Sequence, residues 1–482
     1  MEEKWKVPAF EMIVAAALLA GFAVVLAVGD WWIRFIFLCA WLCAALAVTL
    51  VLQERANRQR IMIGWLYVLI GSAFLNQTLL NVHIGFVTLF VYRLAMIGCL
   101  VSFIALAVQE NGLKDRWRSS HVQLFLLFFL VWFADACLSL TWALSLTEGL
   151  KYVLLLGMGI AFVLLAALTF QRMEEILFFF YLWLFMSALL IAIGLGNHFF
   201  RIQLPTSSLY GGSAYKLAYP TAVFTNQNDF ATLLSLSFFF FLAYAASKPP
   251  FFRRALAWSG SLLSLWLIVL TESRASELGI AAGLVVYVFL LLPSRRRRAA
   301  LWIAGVAMLA GLLLLHGPVA AKFTKYTTFE MQYSLNDVSA SDVVRTRLIE
   351  SAAGYLTNSA GMGTGAGNLA YYLKTQPLIN TNHINEAHNW FAEITATFGV
   401  FVGIGYLAVY LALFFSLFRY AGGRHAMLVK AALTAQAAFF VSSISPSSIS
   451  NLYFHWLLLG FLLALLAVLR NEDDAGRRRR NQ

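Results

Sequence analysis

From Ile176 to Gly196 the chain carries no charged side chain, and runs of this kind recur along its 482 residues. A helix needs roughly 20 predominantly apolar residues to cross the hydrocarbon core of a bilayer. On that ruler, candidate runs lie near 9–28, 31–52, 61–80, 83–108, 121–143, 149–170, 175–196, 227–247, 255–273, 275–293, 299–316, 388–418, 427–445 and 451–469. The expected fold is an all-α polytopic membrane protein of about 12 to 14 transmembrane helices. Composition agrees: 61% of residues are hydrophobic and 12% charged, where soluble domains carry about a quarter charged residues. The first run lacks a small-residue cleavage site and reads as a span rather than a signal peptide. The four cysteines (Cys39, Cys43, Cys99, Cys137) all lie in apolar runs without metal-ligand spacing, as packing residues do.

The net charge of +12 does not point to nucleic acid, because the basic residues fall in short clusters between apolar runs. If the spans alternate from a cytoplasmic N-terminus, one side collects Arg55/Arg58/Arg60, Lys114/Arg116/Arg118, Lys248/Arg253/Arg254, Arg295 to Arg298, Arg419/Arg424 and Arg477 to Arg480. The positive-inside rule then puts both termini in the cytoplasm. The chain reads as one membrane domain, 1–482, with a basic cytoplasmic tail at 471–482. Segment 317–387 becomes an extracytoplasmic loop or cap, and 197–226 a shorter loop on the same side.

Loops between packed spans are usually short, so a connection of about 70 residues needs a purpose. It carries Lys322, Lys325, Arg345, Arg347 and Lys374 on the side where the charge rule disfavours them. The shorter loop adds Arg201 and Lys216, and the turn before 275 adds Arg274. Such cations suit an anionic ligand; the competing reading is that long loops simply carry solvated charge. The glycine-rich stretch Ser359–Leu373 lacks a preceding strand and the GK[ST] of a nucleotide loop, and reads as a turn feeding a short helix.

Three polar clusters at the ends of apolar runs could do chemistry. Glu272, Arg274 and Glu277 separate two runs by barely a turn. Arg274 there is either an interfacial partner of Glu277 or a planar fork of donors for a phosphate. Asn226, Asn228 and Asp229 open the earlier span at 227–247, where they cap the helix or, with its dipole, receive an anion. His388 follows Asn385; with Asn385 as the cap, His388 lies in the first turn, where the dipole disfavours imidazolium and leaves a proton acceptor. Asp337 and Asp342 have neither the spacing nor the neighbouring histidines of a metal site. Arg93, Asp135 and Glu148/Lys151 read as structural pairs in or beside spans, and 441–450 as a broken or re-entrant segment.

In combination these residues resemble the O-antigen ligase / O-antigen polymerase superfamily of membrane glycosyltransferases. The resemblance rests on F-x-N-x-N-D-F-A (Phe224 to Ala231), S-R-x-x-x-L (Ser273, Arg274, Leu278), a long loop ending in G-x-G-x-G, and H-N-x9-G (His388, Asn389, Gly399). It covers roughly 197–410 and departs from the family pattern at Gln227 and Val402. It implies a GT-C-like enzyme that moves a glycan from a membrane-borne polyprenyl-diphosphate carrier to an acceptor hydroxyl, inverting and without metal or cofactor. The acceptor would be another glycan, a lipid-linked core or a protein. Carried over, His388 is the base, Arg274 and Arg201 hold the pyrophosphate with Lys216 as an alternative, and Asn389 or Glu386 orients the ring. Asn226, Asn228, Arg345 and Arg347 are expected to bind substrate. A lipid-linked oligosaccharide flippase, or another polytopic transporter, is the competing class. It accounts for the spans but not for polar residues gathered at one side, since alternating access needs a midplane site.

Overall fold

The computed structural model describes residues 55–75, 82–84, 87–108, 112–293, 295–297, 299, 341–444, 446, 448 and 452–480. The expected spans at 9–28, 31–52 and 299–316, with Cys39, Cys43, Lys322, Lys325 and Asp337, lie outside them. Every other expected span overlaps a described helix, though not always over its whole length.

The chain forms two compact units that meet in sequence between Ser119 and Ser120. In the first, helix α1 (Arg55–Leu75) packs on α2 (Val91–Ala107), and α3 (Gly112–Ser119) follows. The run expected as a helix from residue 83 begins instead as a hairpin. Strands β1 (Val82–Ile84) and β2 (Val87–Leu89) pair antiparallel, with Val82 opposite Leu89 and Ile84 opposite Val87. β-Branched residues on both sides of a glycine favour pleated backbone over helix, and hydropathy alone does not register this.

The second unit is a helical bundle. In chain order it contains α4 (Gln123–Leu138), α5 (Leu146–Thr169), α6 (Met173–Phe200), α7 (Gln227–Ala246), α8 (Phe251–Leu270) and α9 (Arg274–Leu291). There follow α10 (Ser341–Asn358), α11 (Asn368–Thr375), α12 (Trp390–Phe418), α13 (Ala426–Ser442) and α14 (Tyr453–Arg480). Among the described residues, seven helices are long and apolar enough to span a membrane: α4, α5, α6, α7, α9, α12 and α14.

Composition decides which helices sit at the centre. Helices α7 and α14 are apolar nearly all round, and 89% of each apolar stretch is buried, against 28% for α9. A helix with no polar face has nothing to show water and is buried or lipid-facing. The core is aromatic: Trp132 meets Phe398, Tyr406 and Trp456 with ring centroids 5.5–5.9 Å apart. Within it Ser187 and Ser237 hydrogen-bond to each other at 2.8 Å, the small polar link typical of helices packed in lipid.

Contacts at the two ends of the bundle show that the helices alternate in direction. At one end Tyr181 meets Tyr244 edge-on, Phe289 stacks on Phe418, and α14 pairs Glu472 with His425 and Asp474 with His121. This end carries Arg253, Arg254, Arg295, Arg296, Arg297, Arg419, Arg424 and Arg470. The opposite end gathers the starts of α5, α7, α9, α12 and α14 with the finish of α13, and it carries the long polar segments.

Candidate functional site

At that polar end, residues 341–387 fold into a cap rather than a loose loop. Val344, Leu348, Ala352 and Tyr355 of α10 form a small core with Leu369 and Leu373 of α11, Ala387, and Ala396 of α12. The Tyr355 hydroxyl donates to Gln376 O at 2.7 Å, and burial pushes its pKa up.

The glycine-rich turn does join α10 to a short helix, and it has a second role. Helix α12 is broken at Gly399 (φ 87°, ψ 172°), a conformation open essentially only to glycine. A helix break strands backbone groups that lipid cannot satisfy. Here the turn satisfies them: Thr364 N donates to Ala396 O (2.8 Å), Gly365 N to Thr397 O (2.9 Å), and Val400 N to Gly361 O (3.0 Å). The approach is so close that a Cβ on Gly363 would lie 2.6 Å from Thr397 O, and one on Gly399 2.6 Å from Gly361 O. On its other side the turn is tied to the α4–α5 corner. Ala366 N donates to Ser139 Oγ, and Trp142 Nε1 to Gly363 O.

The start of α12 differs from expectation in one respect. Asn389, not Asn385, is the cap: its side-chain oxygen accepts from Phe391 N and Ala392 N, both at 3.0 Å. His388 therefore stands just before the helix rather than in its first turn, half-buried, with φ +46°. The segment leading to it is tied down. Arg347 is buried and donates to Asn380 O at 3.1 Å, while Thr381 and Ile384 close a turn on each other. Arg347 thus points into the fold and holds this segment, whereas Arg345 is half-buried on the same helix and Glu386 is exposed.

The expected cations converge by a separate route. Gln203 donates to Leu217 O (2.8 Å) and Tyr219 O (2.7 Å), which folds the Arg201 end of the α6–α7 segment onto the Lys216 turn. The Tyr219 hydroxyl donates to Glu272 at 3.1 Å, which brings that turn to the start of α9 and Arg274. Desolvation, and then the bond to Glu272, raise the Tyr219 pKa and keep it a donor. Arg201, Lys216 and Arg274 are all exposed, and these bonds bring the segments that carry them to one corner. Asn226 caps α7 by accepting from Asp229 N at 2.9 Å, and its amide donates back to the Asp229 carboxylate; Asn228 beside it is half-buried.

The finish of α13 connects this corner to His388. Thr232 of α7 donates to Ser442 O, and Trp390 of α12 to Phe440 O, both at 3.3 Å. A Cβ on Gly279 of α9 would lie 2.8 Å from Ala438 O, so α9 presses directly on the same stretch. The starts of α7, α9 and α12, with their polar residues, therefore surround residues 438–442.

Beside this lies a feature that sequence reasoning passed over. A cavity of about 260 Å³ opens between α5, α11 and α12, lined by Glu148, Lys151, Tyr152, Asn385, Glu386, Glu393 and Ser448 among others. Glu393, in the first turn of α12, is only 6% exposed, and its carboxylate accepts from the hydroxyls of Tyr152 (2.9 Å) and Ser448. Glu148 and Lys151 pair as expected, at 2.8 Å. The available signal was a carboxylate inside an apolar run, which in a membrane helix faces a partner or a cavity. Among the described residues, no three His, Cys, Asp or Glu side chains are grouped as a metal would require.

Comparison with known proteins gives two findings. A family model described as O-antigen ligase matches residues 259–407. The chain is also 40% identical over 442 residues to the teichuronic acid biosynthesis protein TuaE of Bacillus subtilis strain 168, a match covering 89% of this chain and 90% of the relative.

Proposed function

The chain belongs to the O-antigen ligase family, and from that premise we propose that it is a membrane glycosyltransferase that transfers a glycan from a polyprenyl-diphosphate carrier, undecaprenyl diphosphate in bacteria, to a hydroxyl on the outer face of the cytoplasmic membrane. The observation that supports this reading is that α7, α9 and α12 all press on the finish of α13, with Arg274 at the head of α9, the Arg201–Lys216 segment tied to that head through Tyr219 and Glu272, and His388 and Asn389 at the head of α12. The charge pattern supports the orientation: the end of the bundle opposite to His388 is rich in arginine, as a cytoplasmic face is. Among the three acceptor classes, a relative named for teichuronic acid biosynthesis favours a growing polysaccharide, and hence a polymerase.

The reaction is a single displacement with inversion. The acceptor oxygen forms a bond to the anomeric carbon while the bond from that carbon to the diphosphate oxygen breaks. His388 takes the hydroxyl proton, and the electron pair leaves on the lipid diphosphate. Charge grows on that diphosphate, and Arg274 with Arg201 or Lys216 holds it there through charge-assisted hydrogen bonds to the phosphate oxygens. No metal is needed to balance the step. A non-glycine residue in left-handed backbone, as at His388, is the kind of local cost that proteins retain at working sites.

The test is to incubate the purified protein with a polyprenyl-diphosphate oligosaccharide and weigh the product by mass spectrometry. Lengthened glycan is expected from the native chain. His388→Ala should lose about 10²–10⁴-fold in rate, the usual contribution of a general base. Near-normal transfer by that variant would remove the base assignment.

A further inference from the structure

The chemistry of the cavity between α5, α11 and α12 argues against a role in holding pyrophosphate. Three carboxylates, Glu148, Glu386 and Glu393, face one ammonium, Lys151, which is already paired with Glu148. An anion entering it would meet net repulsion, unlike one at the Arg274 corner. Carboxylates, a phenol, a serine hydroxyl and an amide lining a small half-enclosed space are instead partners for hydroxyl groups. Glu393 is the strongest indication. Burying a carboxylate in a membrane helix is costly, and such groups characteristically face a cavity that uses them. Here two hydroxyls and the positive end of the capped helix hold the charge in place.

The cavity also borders the reacting group. Asn385, Glu386 and Ala387, which immediately precede His388, form one wall, and Glu393 follows the cap by one turn. Its size suits a single ring, since it has the volume of about nine water molecules. We infer that this cavity seats an uncharged sugar ring of the acceptor, the one that bears the attacking hydroxyl, with the Glu393 carboxylate accepting from its hydroxyls. The inference rests on the transferase reading above and adds the place and charge class of the acceptor.

Kinetics with donor and acceptor varied separately test it. Glu393→Gln is expected to raise the acceptor KM about ten- to a hundredfold, as loss of a hydrogen bond to a charged group does, with the donor KM unchanged. Tyr152→Phe should move the same constant in the same direction by less. A shift in donor KM alone, or a fall in kcat alone, would overturn the assignment. A turnover-free measurement guards against misfolding of the Glu393 variant. In saturation-transfer NMR, the full-length native protein should bind a neutral hexose and ignore the corresponding hexuronic acid. Ala370→Phe, at an exposed position on the cavity wall, should abolish that binding. Equal binding of the acid, or binding that survives Ala370→Phe, would refute the inference. If the neutral sugar binds as expected but the native protein transfers nothing, the transferase reading fails and the sugar site stands.

Discussion

The two flanks of the α12 start are built differently. Toward α9, the cations Arg201, Lys216 and Arg274 stand exposed on turns joined by a few side-chain bonds, such as Tyr219 to Glu272. Toward α5, the acid-lined cavity is framed by helix starts and by a glycine turn stitched into backbone, with Glu393 buried at its wall. The difference suits two kinds of guest. A diphosphate is recognised by its charge, which draws long side chains to it over several ångströms, and by the planar fork that an arginine then presents. A sugar ring is recognised by direction, through hydrogen bonds that fail when misaligned, and needs a rigid wall.

Substitutions on each flank can break or sharpen this contrast. The largest effect is expected at Arg274. Arg274→Ala should lower kcat about 10²–10³-fold, the range for removing one preorganised donor to developing charge. Arg274→Lys should stay well below native, because an ammonium lacks the planar fork; a fully active lysine variant would mean that the corner is not reading geometry. Next is the stitched flank. Gly399→Ala would force an L side chain into glycine-only backbone, at about 1–3 kcal/mol before the clash with Gly361 O is added. The thermal midpoint in detergent should fall, and acceptor and donor kinetics should worsen together. An unchanged midpoint would show that this flank is less rigid than its bonding implies. The smallest effect is expected between the flanks. Asn389→Ala removes the cap of α12 and should cost about 1 kcal/mol of stability, with Asn389→Asp restoring it. Failure of Asp to restore activity along with stability would give Asn389 a second role, toward substrate or the His388 ring.

How far the sequence disclosed this arrangement differs between the flanks as well. The spans are legible because exclusion of charge over a bilayer's thickness is a strong, local signal. The cation corner is legible because Arg201, Lys216 and Arg274 stand out against apolar surroundings and a matching family pattern. The cavity is not legible, since Tyr152, Glu393 and Ser448 come from three distant segments that only the fold brings together. The cap of α12 was misplaced by four residues because Asn385 and Asn389 are equally good capping side chains. What selects Asn389 is the turn fixed by Arg347, Asn380 and Thr381, a tertiary effect. The hairpin at 82–89 was hidden for the opposite reason: its residues are as apolar as a span, and only their branching differs.

The interruption of α12 has a mechanical consequence. Its first turns, with His388 and Asn389 at their head, are a short lever separated from the long shaft of the helix at Gly399. The bonds from Thr364 and Gly365 grip that lever near its pivot, and they belong to the same folded piece as α10 and α11. A displacement of that outer piece therefore reaches the head of α12, with His388 and Asn389, through the pivot and not through the shaft.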